Sequence, residues 1–257
     1  MSSVNGTPIW ADLGTSDPAA SREFYTNLFG WTAEADPDPQ FGGYTTLLKD
    51  GKRVAALGPL NSPEQPVVWS TYFGSDDLDG TGKAVEAAGG SVVVPPMAIR
   101  DLGRMAFFAD PSGAVFGAWE PGTHTGFELT EADGSYCWTE LSTTDPAGAR
   151  AFYPAVFGWA THDNPMAGGG TYTEFKAGGK SLAGLMDGPD GPPAPPHWLV
   201  HFAVVDVDGA TGRAQGLGAA TIVPPTDFPG GRFSILADPQ GAAFALVWMD
   251  EAPSAHA

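Results

Sequence analysis

Polar and apolar residues alternate along PIWADLGT, residues 8–15, with Ile9, Ala11 and Leu13 on one side and Trp10, Asp12 and Gly14 on the other. That period of two predicts a strand. Asp17-Pro18 then marks a helix start, with Asp as N-cap and Pro at the first helical position. Phe24, Tyr25, Leu28 and Phe29 fall on one helical face, and Gly30 supplies the stop. Beyond it, TTLLKD, a turn at Gly51-Lys52 and RVAALG read as a hairpin, and WSTYFGS reads as a strand. A short helix is expected over 80–89, closed by Gly89-Gly90. SVVVPP reads as a strand, and RMAFFADPSGAVFGAW as a hairpin turning at Asp110-Pro111-Ser112-Gly113. The predicted order is β-α-β-β, then β, a short helix and three further strands.

The same pattern then recurs. Trp10–Trp31 and Trp138–Trp159 align without a gap, with 12 identities in 22 positions. Tyr44-Thr45 answers Tyr172-Thr173, DLDGTGKAVEAAGGSVVVPP answers DVDGATGRAQGLGAATIVPP, and FADPSGAVF answers LADPQGAAF. Order and spacing are kept throughout, so the chain holds one module written twice. The expected boundaries are a first module over 1–121, a polar, turn-rich linker over 122–135, a second module over 136–250 and a tail over 251–257. In the second module Pro189–Pro196 is expected to be a stiff extended loop, and the GGG at 168–170 a flexible one.

Composition narrows the partners. Of 257 residues, 42% are hydrophobic and 11% aromatic, enough for a substantial core. A formal net charge of −18 argues against nucleic acid or an anionic membrane, both of which would repel it. The N-terminus has neither the basic region nor the apolar run of a signal peptide, and no stretch is apolar enough to span a bilayer. The single cysteine, Cys137, cannot form an intramolecular disulfide; with Tyr136 and Trp138 beside it in a strand, it reads as an inert core thiol compatible with a reducing cytoplasm.

A first strand, then D-x-x-x-S/A-R-x-F-Y-x-x-x-F-G-W, then a strand followed by D-x-D, then a D-P-x-G hairpin, resembles the vicinal oxygen chelate superfamily. That superfamily includes glyoxalase I, extradiol dioxygenases and bleomycin- or fosfomycin-resistance proteins. The ending F-G-A-W-E is similar to a two-module branch that carries a hydroxylase label. The resemblance implies an α+β fold of two tandem glyoxalase-like βαβββ modules, paired half-barrels around a cavity. It implies that the site lies between the copies, so that a monomer could already be functional. It also implies metal ligands at set positions, occupied here by Trp10, Ala56, Tyr72 and Gly117 in one copy and Trp138, Gly184, His201 and Ala245 in the other. Only His201 is a competent donor, Tyr72 a poor one, although a shifted register in the last strand could bring in Glu120. A transition metal needs three or four good donors, so the expectation is no cofactor and no metal. His197 and His201 are spaced i, i+4, but on a strand that spacing is about 13 Å and cannot serve one ion.

What remains for chemistry is carboxylate and aromatic. Asp12 shares a strand face with Trp10, and Glu140 with Trp138. A carboxylate among indoles has a raised pKa suited to general acid–base work, and His201 could join either acid as a partner. The alternative is that both acids are held by backbone amides or by Arg22 and Arg150. Trp10, Trp69, Tyr72, Trp138, Trp198 and His201 together read as an aromatic pocket for a flat hydrophobic or cationic molecule, unless some of them belong to the core. There is no P-loop, dinucleotide fingerprint or nucleophile elbow. Three functions stay open: metal-independent small-molecule binding, an enzyme using Asp12, Glu140 and His201 or a non-standard metal site, and an interaction protein whose cavity is filled by its own side chains.

Overall fold

The computed structural model describes residues 5–166, 169–187 and 195–250. The Pro189–Pro196 loop and the first glycine of the GGG fall wholly or mainly outside them. The first repeat runs β1 Pro8–Thr15, α1 Pro18–Phe29, β2 Thr32–Ala35, β3 Thr45–Lys49, β4 Lys52–Pro59, β5 Val68–Gly74, α2 Leu78–Ala87, β6 Ser91–Ile99, β7 Gly103–Ala109 and β8 Val115–Pro121. The second runs β9 Tyr136–Ser142, α3 Pro146–Phe157, β10 Ala160–Pro165, β11 Thr171–Ala177, β12 Lys180–Asp187, β13 His197–Ala203, α4 Val207–Gly216, β14 Ala220–Phe228, β15 Gly231–Ala237 and β16 Ala243–Met249. Each repeat is therefore βαβββ written twice, and each contributes one eight-stranded sheet.

Two details differ from the sequence reading. A strand follows each first helix, β2 and β10, where none was expected. Both lie at the end of their strand order and are largely exposed, so no alternation announces them. The second helix begins at Leu78 rather than residue 80, because Asp77 is its cap and accepts from the Gly80 amide at 3.0 Å. The first helix starts and stops where its signals lie: Asp17 accepts from Ala20 N, and Gly30 takes the left-handed conformation at φ 70°.

The chain condenses into two compact units that do not follow the repeat boundary. One comprises residues up to Ile9, Thr71–Gly126 and Trp138–Leu199; the other comprises Trp10–Ser70, Phe127–Cys137 and Val200 onward. The first unit carries the strand order β5-β8-β7-β6 from repeat one and β10-β11-β12-β9 from repeat two, with α2 and α3. Its core is aromatic: Phe73, Phe116, Phe152, Tyr153, Phe157, Trp159, Phe175 and Trp198 are all buried. The fully buried Tyr153 hydroxyl accepts from Trp198 Nε1 at 3.0 Å and donates to Asp110 Oδ2 at 3.1 Å. Asp110 Oδ1 in turn accepts from Ser112 N and Ala114 N, closing the D-P-x-G turn.

The second unit repeats this with the roles of the repeats exchanged. It carries β2-β3-β4-β1 and β13-β16-β15-β14, with α1 and α4. Trp69 Nε1 donates to Tyr25 at 2.8 Å, and Tyr25 donates to Asp238 Oδ2 at 3.0 Å. Asp238 Oδ1 accepts from Gln240 N and Ala242 N. Each unit thus latches the first helix of one repeat to the D-P-x-G hairpin of the other. Every polar atom of the latch is paired, which removes the penalty of burying a hydroxyl in an aromatic core.

Candidate functional site

The site residues sit on the first strand of each repeat. In the second unit, β1 pairs in parallel with β4, and Asp12 lies opposite Ala56. Tyr44, just before β3, reaches back over this pair. Its hydroxyl accepts from Trp10 Nε1 at 3.2 Å and donates to Asp12 Oδ2 at 3.2 Å. The ring fits because position 58 is glycine: a Cβ there would stand 3.1 Å from Tyr44. Phe127 lies 5.4 Å from the Trp10 ring and Tyr136 stacks on Phe127 at 4.6 Å, so a ladder of aromatic rings leads away from the carboxylate.

The first unit contains the same construction. Trp138 Nε1 donates to Tyr172 at 3.0 Å, and Tyr172 is hydrogen-bonded to Glu140. Glu140 lies opposite Gly184 in the parallel pairing of β9 with β12. A side chain at 184 would run into the Tyr172 hydroxyl and the Trp138 indole nitrogen. The sequence reading brought together Trp10 with Asp12 and Trp138 with Glu140; it missed the tyrosines that connect them. Their signal was present: each lies 34 residues after its tryptophan in both repeats.

Burial sets the electrostatics. Glu140 is partly buried and its carboxyl is raised to about 7, chiefly by desolvation, with the Tyr172 hydrogen bond pulling the other way. Burial and the neighbouring carboxylate push Tyr172 well above the ordinary tyrosine value, and burial and Asp12 do the same to Tyr44. Both phenols therefore remain protonated donors across the neutral range. The chain of donors is directional, from indole to phenol to carboxylate, and it fixes where the acid points.

The remaining candidates are placed differently. Trp69 and Trp198 belong to the cores described above, with their indole N–H groups spent on Tyr25 and Tyr153. Strand β5 is buried on both faces, so alternation could not tell a pocket wall from a core position. Tyr72 is buried, packs on Phe107 at 5.3 Å and fills the space in front of Gly117, its partner across β5 and β8. His201 is 7% exposed on β13 beside Ala245. His197 lies on the same strand and has Nδ1 2.8 Å from the Pro195 carbonyl. Cys137 is buried, and desolvation raises its thiol strongly.

The residues at the positions implied for a metal do not fit one. Ala56, Gly117, Gly184 and Ala245 offer no donor, and the volumes in front of Gly117 and Gly184 are taken by Tyr72 and by Tyr172 with Trp138. Glu120 accepts from the Leu78 amide at 3.0 Å and from Arg104 at 3.2 Å, at the start of α2. Among the described residues no group of three or more His, Cys, Asp or Glu side chains is gathered as a metal would require. Nor, among them, is any helix long and apolar enough to cross a membrane.

Comparison with known proteins agrees with this architecture. The sequence pattern of the Glyoxalase/Bleomycin resistance protein/Dioxygenase superfamily matches residues 8–117 and again 136–246. The chain is 44% identical to the anthracycline biosynthesis protein DnrV of Streptomyces peucetius, over 96% of this chain and 94% of that one. It is 42% identical to CFP32 of Mycobacterium tuberculosis, a protein named provisionally as a glyoxylase, over 94% of each chain. Among solved structures, the 2,3-dioxygenase LapB from Pseudomonas sp. KL28 superposes with a TM-score of 0.69 at 15% identity, covering 98% of this chain and 96% of that one. The Mn(II)-bound glyoxalase from Novosphingobium aromaticivorans superposes at 0.64 with 17% identity, covering 99% and 86%. At those identities the structural likeness concerns the fold. Two matched modules with the βαβββ order in each place this chain in the Glyoxalase/Bleomycin resistance protein/Dioxygenase superfamily.

Proposed function

We propose that this protein binds a flat, hydrophobic, partly polar aromatic molecule on its tryptophan–tyrosine–carboxylate faces, without a metal, and so sequesters or presents it in the cytoplasm. The observation that carries the reading is the filling of the ligand positions. Where a metal-binding relative would need a donor, position 184 is glycine and the Tyr172 hydroxyl occupies its place. The carboxylate beside it is fixed by that same hydroxyl. An oriented acid next to indole and phenol rings suits an aromatic guest that also offers a hydroxyl or ammonium donor. The relative from Streptomyces peucetius, named for anthracycline biosynthesis, adds support, since anthracyclines are flat, polyhydroxylated ring systems.

A second reading has its own observation. A carboxyl group near 7 gives and takes protons at neutral pH, so Glu140 could act as a general acid or base on the bound molecule. Asp12 and His201 would be further candidates for proton transfer.

Titration of the purified protein with an anthracycline and with a plain anthraquinone, followed by tryptophan emission, tests the proposal. Saturable quenching that falls at least about tenfold in affinity in Trp138→Ala and Trp10→Ala supports it. Elemental analysis showing a stoichiometric transition metal, or the absence of any saturable binding, overturns it. Turnover of the ligand that is lost in Glu140→Gln while binding persists would favour the enzymatic reading.

A further inference from the structure

The two repeats differ most tellingly at one surface of the second unit. Val205 is 76% exposed and Trp248 is 40% exposed. The matched residues of the first repeat are Asp76 and Glu120, both acidic. The pairing of strands confirms the second match: Arg104 lies opposite Glu120, and Arg232 lies opposite Trp248. In the first repeat Glu120 holds Arg104 and caps α2. In the second repeat that acid is gone: Arg232 keeps Asp208, the counterpart of the Asp79 that also holds Arg104, and adds Asp227 at 2.6 Å. The first repeat forms the same elements with acids in both places, so the fold type is compatible with polar side chains there. An exposed isopropyl group and a partly exposed indole meet at the surface as an apolar pair.

Both line a groove of about 140 Å³, together with Cys137, Val204 and Met249. Exposed acids rim the groove: Glu131 and Asp133 line it directly, and an adjoining hollow that shares Val205 and Trp248 adds Asp206 beside an Asp208–Arg232 ion pair, so the negative charge comes from Glu131, Asp133 and Asp206. Drug-sized ligands need roughly 300 Å³ or more, so the groove is sized for one side chain of a larger partner. A chain of net charge −18 would meet a second copy of itself here acid against acid.

We infer that the Val205–Trp248 groove docks a basic segment of a partner protein, which seats one apolar side chain between these two residues and sets lysine or arginine against the acidic rim. Trp248 would serve both as the wall for the anchor and as a face for a guanidinium. The inference does not depend on the small-molecule reading above, since none of its residues belongs to the tryptophan–tyrosine–carboxylate chains.

The test uses fluorescein-labelled KRLFRK peptide, its anchor-less counterpart KRGGRK and its charge-reversed counterpart EDLFDE, titrated with the full chain by anisotropy. Saturable binding of KRLFRK is expected, with the other two at least about tenfold weaker. The chain carrying Val205→Asp and Trp248→Glu, the residues of the first repeat, should lose KRLFRK by at least about tenfold. Those substitutions add negative charge, so a merely electrostatic attraction would strengthen; the two explanations move in opposite directions. Should the double variant fail to fold, Val205→Ser with Trp248→Gln replaces it. Equal binding of KRLFRK and KRGGRK, an unchanged or tighter affinity in the variant, or no KRLFRK binding at low ionic strength overturns the inference. So does a concentration-dependent dimer of the free chain that Trp248→Glu abolishes, which would assign the groove to self-association.

Discussion

Replacing Glu140 by glutamine should make the protein more stable at alkaline pH and leave it nearly unchanged at acidic pH. Burial favours the neutral acid, so the folded chain holds this proton to about 7, whereas an unfolded chain releases it near about 4.3. The folded-state value is the higher one. Stability from this group is therefore fully present below about 4.3 and is lost as pH rises through about 7. At about 1.4 kcal/mol per tenfold, the gap corresponds to roughly 4 kcal/mol at most. Because the side chain keeps some exposure, solvent screening reduces this to about 2–3 kcal/mol. A glutamine side chain carries no charge to desolvate and can still accept from Tyr172. The measurement is thermal or urea unfolding of the wild type and Glu140→Gln from about pH 5 to about pH 9, taken as a difference so that the other acids cancel. The gain should appear through neutral pH and reach about 4–12 °C in the midpoint. A flat difference across that range would refute the reasoning. A variant that is less stable at high pH would mean that the carboxylate anion is held by a partner stronger than the tyrosine.

The other predictions concern the scaffold around the site. Tyr25→Phe strands both Trp69 Nε1 and Asp238 Oδ2 in the second unit and should cost about 1–3 kcal/mol by urea unfolding; Tyr153→Phe should do the same in the first. Gly184→Ala drives a methyl group into the Tyr172 hydroxyl, an overpacking that should cost about 1–3 kcal/mol, and Tyr172→Phe in the same chain should recover part of it. Gly30→Ala meets no atom within 4 Å, so its cost should be only the left-handed backbone penalty of about 1 kcal/mol. Cys137, buried and held as the thiol, should resist a thiol reagent in the native protein and react fully in denaturant.

Where the chain's own chemistry is local, the sequence was legible. Asp17-Pro18 and Gly30 bound α1 because capping uses atoms close together along the chain, and the D-P-x-G turn closes on its own aspartate. The legible part stops where burial comes from the far end of the chain. Tyr25 and Tyr153 looked like ordinary core positions of a helix. Their hydroxyls are tied to aspartates 213 and 43 residues away, and in each case the tie runs to the other repeat. No periodicity encodes such a partner. The same limit explains the candidate wall residues: Trp69 and Trp10 both sit on strands, yet one indole feeds a core tyrosine and the other a tyrosine at the carboxylate. What separates them is which tyrosine lies within hydrogen-bonding reach, and that is a property of sheet register rather than of either tryptophan.

The doubling itself is the most informative comparison within the molecule, because one repeat serves as the control for the other. The latches and the tryptophan–tyrosine–carboxylate chains recur with the same donors in the same order, as parts of the fold common to both copies should. Differences between the copies then stand out against that common frame. Where one repeat has Asp12 against Tyr44, the other has Glu140, one methylene longer, against the matched Tyr172. Where the first repeat has Asp76 and Glu120 the second has Val205 and Trp248, which trades surface charge for exposed apolar area at a cost to solubility. That trade is what the proposed docking of a basic segment would account for, with Glu131, Asp133 and Asp206 supplying the opposite charge.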